Sequence, residues 1–268
     1  MHDVAPEGVV TLVFTDIEGS ATLWNHFGDD FPSILAIHDA IVRRAATRYG
    51  GYEVHSAGDA FLLAFSTASN ALRFCLDVQQ ALQRAAWPDA LVSSYEGAPP
   101  DLYLPDRGVR GVRVRMGVHT GEPWIRPDPT TGRMDYGGPM CNAASRIGAA
   151  AQGGQIVVSD TAWSAAGGVQ LEDVLMQDLG EHALRGIEDR VRLRQLLPAG
   201  LGDRRFPRIV TVDLRKTNLT RRVDSFIGRD RELQAIAEAL RENSALKTLD
   251  LHFNKIQAAG ARALADGL

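Results

Sequence analysis

Residues 13–20 have the sequence Val-Phe-Thr-Asp-Ile-Glu-Gly-Ser, and they close an apolar run that begins at Val9. β-Branched and aromatic side chains dominate this run, which predicts a buried β-strand. The strand ends at an aspartate, Asp16, and Gly19 follows three residues later. The stretch therefore predicts a buried strand that ends in a carboxylate with little side-chain bulk around it.

A second acidic stretch, residues 55–61, has the sequence His-Ser-Ala-Gly-Asp-Ala-Phe. Extended residues enter it from Tyr52, the Ala-Gly pair supplies a tight turn, and an apolar run to Phe65 leaves it. This pattern predicts a hairpin with Asp59 at its tip. Two carboxylates at neighbouring strand ends can share hard divalent cations. The alternative is that Asp16 and Asp59 are ordinary turn residues, since aspartate is common in turns.

The predicted elements along residues 8–198 follow the order strand, helix, strand, strand, helix, strand, helix, strand. This order matches the split βαβ arrangement of ferredoxin-like folds. We therefore expect an α+β domain in which helices pack on an antiparallel-rich sheet. Two short strands around a Pro- and Gly-containing turn at residues 127–132 predict a hairpin arm that projects from this sheet.

The composition is that of an ordinary soluble protein, with 45% hydrophobic and 23% charged residues among 268. The net charge of −4 gives no indication of a nucleic-acid partner. Neither a signal peptide nor a run of about 18 apolar residues is present, so we expect a cytoplasmic protein that does not enter a membrane. The two cysteines, Cys75 and Cys141, lack metal-site spacing and are expected to be reduced.

One predicted helix, from Met140 to about Ala150, places Asn142 and Arg146 four residues apart and hence on one face. A neutral donor beside a fixed cation suits a transition state whose negative charge spreads over phosphate oxygens. The alternative is a solvated surface pair without a function. Asp135 precedes Asn142 by seven residues.

Taken together, these motifs resemble the catalytic domain of class III nucleotidyl cyclases, in particular a bacterial subgroup with the same Phe-Thr-Asp-Ile-Glu-Gly-Ser opening. The resemblance covers about residues 8–198. The matching segments are residues 14–20, 58–65, 115–121, 136–147, 153–159 and 179–187. Several ordered motifs agree, which makes the resemblance more specific than any one of them.

The resemblance implies a set of site residues. Asp16 and Asp59 match the two metal-binding aspartates, and the carbonyl group of Ile17 matches a backbone ligand. Asn142 and Arg146 match the pair that stabilises the transition state. Arg185 stands where the family often has a lysine that holds the polyphosphate.

Two further residues match positions that recognise the base. Asp135 matches the aspartate of adenylate cyclases, whose carboxylate accepts a hydrogen bond from the adenine amino group and repels the guanine carbonyl. His55 departs from the family pattern, because adenylate cyclases usually have a lysine there. Histidine is shorter and only partly charged near neutral pH, although it can still donate a hydrogen bond to a ring nitrogen.

The resemblance implies an adenylate cyclase that converts ATP to 3′,5′-cyclic AMP and pyrophosphate with two divalent cations, Mg or Mn. Family sites lie between two catalytic domains, so a chain with one complete set of residues implies a homodimer with two equivalent sites. The main alternative is a weak or degenerate cyclase domain that binds nucleotide or a partner and only regulates. A guanylate cyclase is disfavoured by Asp135.

The remaining sequence predicts a linker at residues 199–225, with a solvated arginine cluster at residues 204–222. Residues 226–233 resemble the beginning of an AAA-type ATPase domain, but no phosphate-binding loop motif follows them. Residues 246–256 resemble one leucine-rich repeat, and a single repeat cannot bury its own faces. We therefore expect residues 226–268 to be an incomplete appendage.

Overall fold

The computed structural model describes residues 4–96, 111–129, 132–167, 173–202, 204 and 206–209. The predicted ATPase-like and leucine-rich-repeat-like segments, and most of the predicted linker, lie outside these residues. All described residues belong to one compact unit, Met1–Leu214.

Strands and helices alternate along the described residues much as the sequence pattern predicts. The strands are β1 (Val10–Ile17), β2 (Tyr52–Ala57), β3 (Ala60–Phe65), β4 (Val114–Gly121), β5 (Trp124–Pro127), β6 (Met134–Gly137), β7 (Ile156–Ser159), β8 (Val174–His182) and β9 (Val191–Pro198). The α-helices are α1 (Ser20–Phe27), α2 (Phe31–Arg48), α3 (Ala68–Arg84), α4 (Asp89–Glu96), α5 (Pro139–Ala150) and α6 (Asp160–Ala165).

The main sheet has seven strands in the order β2-β3-β1-β4-β7-β9-β8. Strand β1 pairs antiparallel with both β3 and β4, whereas β4 and β7 are parallel. The order β2-β3-β1-β4 is that of a ferredoxin-like core with three further strands added beside β4, so the predicted fold class is confirmed. Strands β5 and β6 form a separate two-stranded sheet, the predicted hairpin arm.

Strand β1 is buried on both faces, as its apolar run predicts. Val13 and Ile17 pack with residues of α2 and α3 in the largest core cluster. Val10 and Leu12 point to the opposite face and pack with residues of β6 and α5. Since successive side chains of a strand alternate between faces, Asp16 belongs to the α5 face.

Helix α5 lies against β4 with almost no side-chain spacing between them. A Cβ atom built on Gly117 of β4 would lie only 2.1 Å from the backbone nitrogen of Gly148 in α5. This backbone-to-backbone approach determines how far α5 lies from the sheet, and therefore where its outward side chains stand.

The expectation of a solvated arginine cluster is wrong for Arg204, which is only 7% exposed. Its guanidinium group donates hydrogen bonds to Gln79, Gln83 and the carbonyl oxygen of Gly154. The tertiary structure thus buries a charge that the local sequence predicts to be in solvent. Across the part of the chain that the structure describes, no helix combines the length and apolar character needed to cross a membrane.

Candidate active site

The hairpin between β2 and β3 brings Asp59 to the end of β1. Gly58 adopts a positive φ of 63°, which allows the two-residue turn between the strands. The Oδ2 atom of Asp59 accepts a hydrogen bond of 2.8 Å from the backbone N–H of Ile17. The structure therefore places Asp59 beside the residue that follows Asp16, although the two aspartates are 43 positions apart in the sequence.

The second carboxylate, Asp16, forms an ion pair with Arg115 of β4. The two residues stand directly opposite each other in the antiparallel β1–β4 register. The Nε atom of Arg115 donates a 2.7 Å hydrogen bond to Asp16 Oδ2, and a terminal guanidinium nitrogen contacts the same oxygen. Arg115 has no role among the sequence predictions, because its pairing with Asp16 follows from the strand register. The local sequence offers only an arginine within a stretch that alternates between apolar and basic residues.

The pKa of Asp16 lies above its ordinary value of 3.8. Burial is the largest cause, since it disfavours the charged form, and the neighbouring Asp59 carboxylate adds to the increase. The Arg115 guanidinium opposes both effects without cancelling them. The site therefore holds two close, half-buried carboxylates whose negative charge is only partly compensated.

This donor set fits a hard divalent cation. Carboxylate oxygens are the ligands that Mg²⁺ and Mn²⁺ prefer, and added positive charge would relieve the repulsion between Asp16 and Asp59. Within the described residues, no group of three or more His, Cys, Asp or Glu side chains is positioned to hold a metal. An ion held here would thus need backbone, water or substrate oxygens as well, which is usual for Mg²⁺ sites in nucleotide-dependent enzymes.

His55 stands on the same face of the sheet as Asp16. It pairs with Leu62 of β3, which in turn pairs with Phe14, two residues before Asp16 in β1. Cross-strand partners project to the same face of a sheet, so His55, Leu62 and Phe14 share the α5 face. The His55 side chain is exposed. The position is compatible with a group that reaches a bound ligand near Asp16.

Asp135 lies on β6 of the hairpin arm, which packs against β2. The Tyr52 hydroxyl accepts a 2.9 Å hydrogen bond from the backbone N–H of Met134, next to Asp135. The Asp135 carboxylate accepts a 2.9 Å bond from the backbone N–H of Tyr136, which orients it. The two predicted base-recognition residues, His55 and Asp135, are therefore on contacting strands.

Asn142 and Arg146 share the exposed face of α5, as their spacing predicts. The opposite face of the helix, including Cys141, Ala144 and Ile147, is buried against the sheet. In the described part of the chain, neither exposed side chain hydrogen-bonds or forms an ion pair with Asp16 or Asp59. Arg185 is likewise exposed, in the connection between β8 and β9. The acidic and the cationic predicted residues therefore lie on different elements of the chain.

Comparison with known proteins agrees with this architecture. The family model of the adenylate and guanylate cyclase catalytic domain matches residues 3–196. An adenylate cyclase of Podospora anserina is 45% identical over 157 residues, which cover 58% of this chain and 7% of that protein. A receptor-type adenylate cyclase of Trypanosoma brucei brucei is 35% identical over 208 residues, covering 71% of this chain and 17% of that protein.

Solved structures show the same likeness. A structure of adenylate cyclases from Trypanosoma brucei in their monomeric state is 33% identical, with a TM-score of 0.68. The match covers 76% of this chain and 95% of the solved one. These findings confirm the family resemblance that the sequence motifs indicate. The chain belongs to the family of adenylate and guanylate cyclase catalytic domains.

Proposed function

We propose that this chain is an adenylate cyclase that converts ATP to 3′,5′-cyclic AMP and pyrophosphate. The observation that carries the proposal is the pairing of Asp16 and Asp59 at one end of β1, with Asp135 on the neighbouring arm. The adenylate cyclases among its relatives support the choice of reaction, although this chain spans only 7% and 17% of the two curated relatives described above.

The acidic residues would hold the metal ions. Asp16, Asp59 and the carbonyl oxygen of Ile17 would bind two divalent cations, Mg or Mn, which when bound activate the ribose 3′-hydroxyl and neutralise the triphosphate. Asp59 is already oriented for this role by the Ile17 N–H. Arg115 compensates the charge of Asp16 and keeps its carboxylate on the ligand-facing side of β1.

The cationic residues would act on the phosphates. Asn142 and Arg146 would donate hydrogen bonds to the oxygens of the α-phosphate, where negative charge develops during attack. Arg185 would bind the pyrophosphate portion, because a guanidinium group can engage phosphate oxygens in a bidentate manner. Each of these side chains is exposed on its element.

Selection of ATP over GTP would depend on Asp135. Its carboxylate would accept a hydrogen bond from the 6-amino group of adenine, whereas the 6-carbonyl group of guanine would face it with like partial charge. His55 would donate to a ring nitrogen from the neighbouring strand, with less reach than a lysine. The histidine at position 55, where adenylate cyclases usually have a lysine, favours the alternative function, a catalytically weak domain that binds nucleotide and regulates.

The site would be completed by a second copy of the chain. Among the described residues, Asn142 and Arg146 are exposed and form no hydrogen bond or ion pair with the aspartates of their own chain, which supports a site shared across a homodimer. A two-fold dimer then has two equivalent sites, each with aspartates from one subunit and the Asn-Arg pair from the other. A cytoplasmic location, the bacterial subgroup and the division into residues 8–198, 199–225 and 226–268 belong to the same proposal.

The test is an assay of the purified full chain with ATP or GTP and with Mn²⁺ or Mg²⁺, scored for cyclic nucleotide. We expect cyclic AMP from ATP and little cyclic GMP. Asp59→Asn removes a charged oxygen ligand and is expected to lower the rate by about 10²-fold or more. Asp178→Asn is the matched control, because Asp178 of β8 forms an exposed ion pair with Arg192 of β9.

Two outcomes would contradict the proposal. Nucleotide binding without any cyclic product, in a preparation shown to be dimeric, would favour the regulatory alternative. Unchanged activity of the Asp59→Asn variant would show that the metal assignment is wrong.

A further inference from the structure

Glu18 links the end of β1 to the loop that follows α5. Its Oε1 atom accepts a 2.9 Å hydrogen bond from the backbone N–H of Gly153, and its Oε2 atom pairs with Arg113 at 3.0 Å. Arg113 also donates to the carbonyl oxygen of Gly153 at 3.2 Å, and its own carbonyl accepts from the Glu18 N–H at 2.8 Å. Side chains and backbone of Glu18, Arg113 and Gly153 thus form a closed ring of contacts, which we call the Glu18 clamp.

The clamp is partly buried and sterically tight. The Arg113 side chain is 7% exposed and that of Glu18 is 30% exposed, so removal of Glu18 leaves the Arg113 charge poorly solvated. A Cβ atom on Gly153 would lie 2.7 Å from both Glu18 Oε2 and Arg113 Cβ. Only glycine fits this position without movement of the ion pair. The distance between the end of β1 and the loop that follows α5 is therefore tightly defined.

The neighbouring residue of the same loop, Gly154, is hydrogen-bonded to Arg204. The carbonyl oxygen of Gly154 accepts a 3.3 Å hydrogen bond from Arg204, whose guanidinium also contacts Gln79 at 3.1 Å and Gln83 at 2.9 Å. Gln79 in turn donates to the carbonyl oxygen of Val114 at 2.7 Å, and Gly154 N–H donates to that oxygen at 2.9 Å. The segment after β9 is thereby tied to the first residue of β4.

The Gly153–Gly154 loop is therefore hydrogen-bonded to residues next to two parts of the candidate site. Glu18 follows Asp16 and Ile17 directly, so the clamp restrains the backbone on which the proposed metal ligands stand. Val114 precedes Arg115, so the Gly154 and Gln79 bonds restrain the strand that holds the counter-cation of Asp16. Metal sites tolerate little displacement of their ligands, and residues that orient ligands typically affect metal affinity 10- to 100-fold.

We propose that Glu18 and Arg204 are positioning residues for the metal-binding end of β1, acting through Arg113 and the Gly153–Gly154 loop. The inference rests on the proposed metal role of Asp16 and Asp59. It links the segment that follows β9 to the site through a series of hydrogen bonds. A change in the position of Arg204 would then alter metal binding without contact between Arg204 and any ligand.

The experiment measures Mn²⁺ affinity by electron paramagnetic resonance, using the full chain with 3′-deoxy-ATP, which lacks the attacking hydroxyl. Glu18→Gln keeps the shape of the side chain but removes its charge, and we expect Mn²⁺ affinity to fall about 10- to 100-fold. Arg204→Gln is expected to lower it about 3- to 10-fold, with partial recovery in Arg204→Lys. Arg208→Gln is the matched control, since Arg208 is an exposed arginine of the same segment.

Readouts other than stability separate positioning from a merely structural role. All titrations are made well below the unfolding temperature of each variant, where the folded fraction is constant. A positioning role raises the KM for metal more than it lowers kcat at saturating metal, and it makes the effects of Glu18→Gln and Arg204→Gln less than additive. Should Glu18→Gln fail to fold, the Arg204→Gln and Arg204→Lys pair tests the same connection.

Unchanged Mn²⁺ affinity in folded Glu18→Gln and Arg204→Gln, while Asp59→Asn abolishes binding, would overturn this inference and leave the proposed function standing. Absence of Mn²⁺ binding to the wild-type chain would instead overturn the proposed metal site, and the positioning role with it.

Discussion

The carboxyl group of Asp16 is subject to opposing effects on its pKa. Burial and the neighbouring Asp59 favour its protonated form, while Arg115 favours the carboxylate. The net effect raises the pKa of Asp16. A proton therefore competes with an incoming cation for this carboxylate up to a higher pH than at an exposed aspartate. Arg115 provides the charge compensation that an incoming cation would share or replace.

The first prediction concerns the pKa of Asp16, which can be measured directly. In metal-free protein, the carboxyl carbon resonance of Asp16, assigned by its loss in Asp16→Asn, is expected to titrate with a midpoint above 3.8. Since the metal-bound form needs the carboxylate, Mn²⁺ affinity is expected to fall as pH decreases through that raised midpoint. A midpoint at or below 3.8 would contradict the burial argument.

His55 provides the second prediction at this scale. His55→Lys is expected to lower the apparent KM for ATP, because a longer donor with a fixed positive charge replaces the shorter imidazole ring. The measurement is the KM for ATP of both proteins under the same conditions.

An unchanged KM for ATP in the lysine variant would remove His55 from the substrate site. In that case His55 is a surface residue of β2, and the base is recognised by Asp135 alone.

At the scale of elements, the contact between α5 and β4 decides where the proposed catalytic pair stands. The helix approaches the strand at two glycines, Gly117 and Gly148, and the atoms in contact are backbone atoms. Backbone cannot rotate away as a side chain can, so this interface has no means of accommodating extra volume. Helix α5 is thereby held at a short and defined distance from the central strands.

The corresponding prediction concerns Gly117→Ala. The added Cβ would lie 2.1 Å from the Gly148 nitrogen, and we expect the free energy of unfolding to fall by about 3 kcal/mol. Gly200→Ala is the control, because no atom lies within 4 Å of its Cβ position. Chemical denaturation of both variants and the wild type measures the difference, and equal midpoints for the two variants would show that the interface is more compliant than its geometry indicates.

At the scale of the whole molecule, the two groups of predicted site residues lie on different elements of one chain. The aspartates are at the end of β1, and the Asn-Arg pair is on the exposed face of α5. A two-fold dimer that brings the first group of one copy to the second group of the other would generate two sites at once.

The prediction that follows is complementation between inactive variants. Asp59→Asn disables the metal half and Arg146→Ala disables the phosphate half, so a mixed dimer has one fully disabled site and one intact site. Random mixing of equal amounts is expected to restore about one quarter of wild-type cyclic AMP formation. Each variant alone is the control, and mixed dimers are verified with two affinity tags. No recovery in verified mixed dimers would contradict the shared site.

The sequence by itself determined the features that depend on local pattern. The apolar and β-branched character of residues 9–14 predicted β1, the Ala-Gly turn predicted the hairpin at Asp59, and the four-residue spacing placed Asn142 and Arg146 on one helix face. These signals survive in the structure because they reflect backbone periodicities of a few residues. The order of elements also determined the ferredoxin-like core, and ordered motifs indicated the family.

Only the tertiary structure decided which distant residues meet. Arg115 faces Asp16 because β1 and β4 pair in one particular register, and that register is a property of the whole sheet. Arg204 belongs to a stretch whose composition predicts solvent exposure, yet it is buried against the Gly153–Gly154 loop and α3. The Glu18 clamp likewise joins residues more than 90 positions apart. Such contacts are decided by packing and by the need to satisfy buried polar groups, and neither is encoded in any short stretch of sequence.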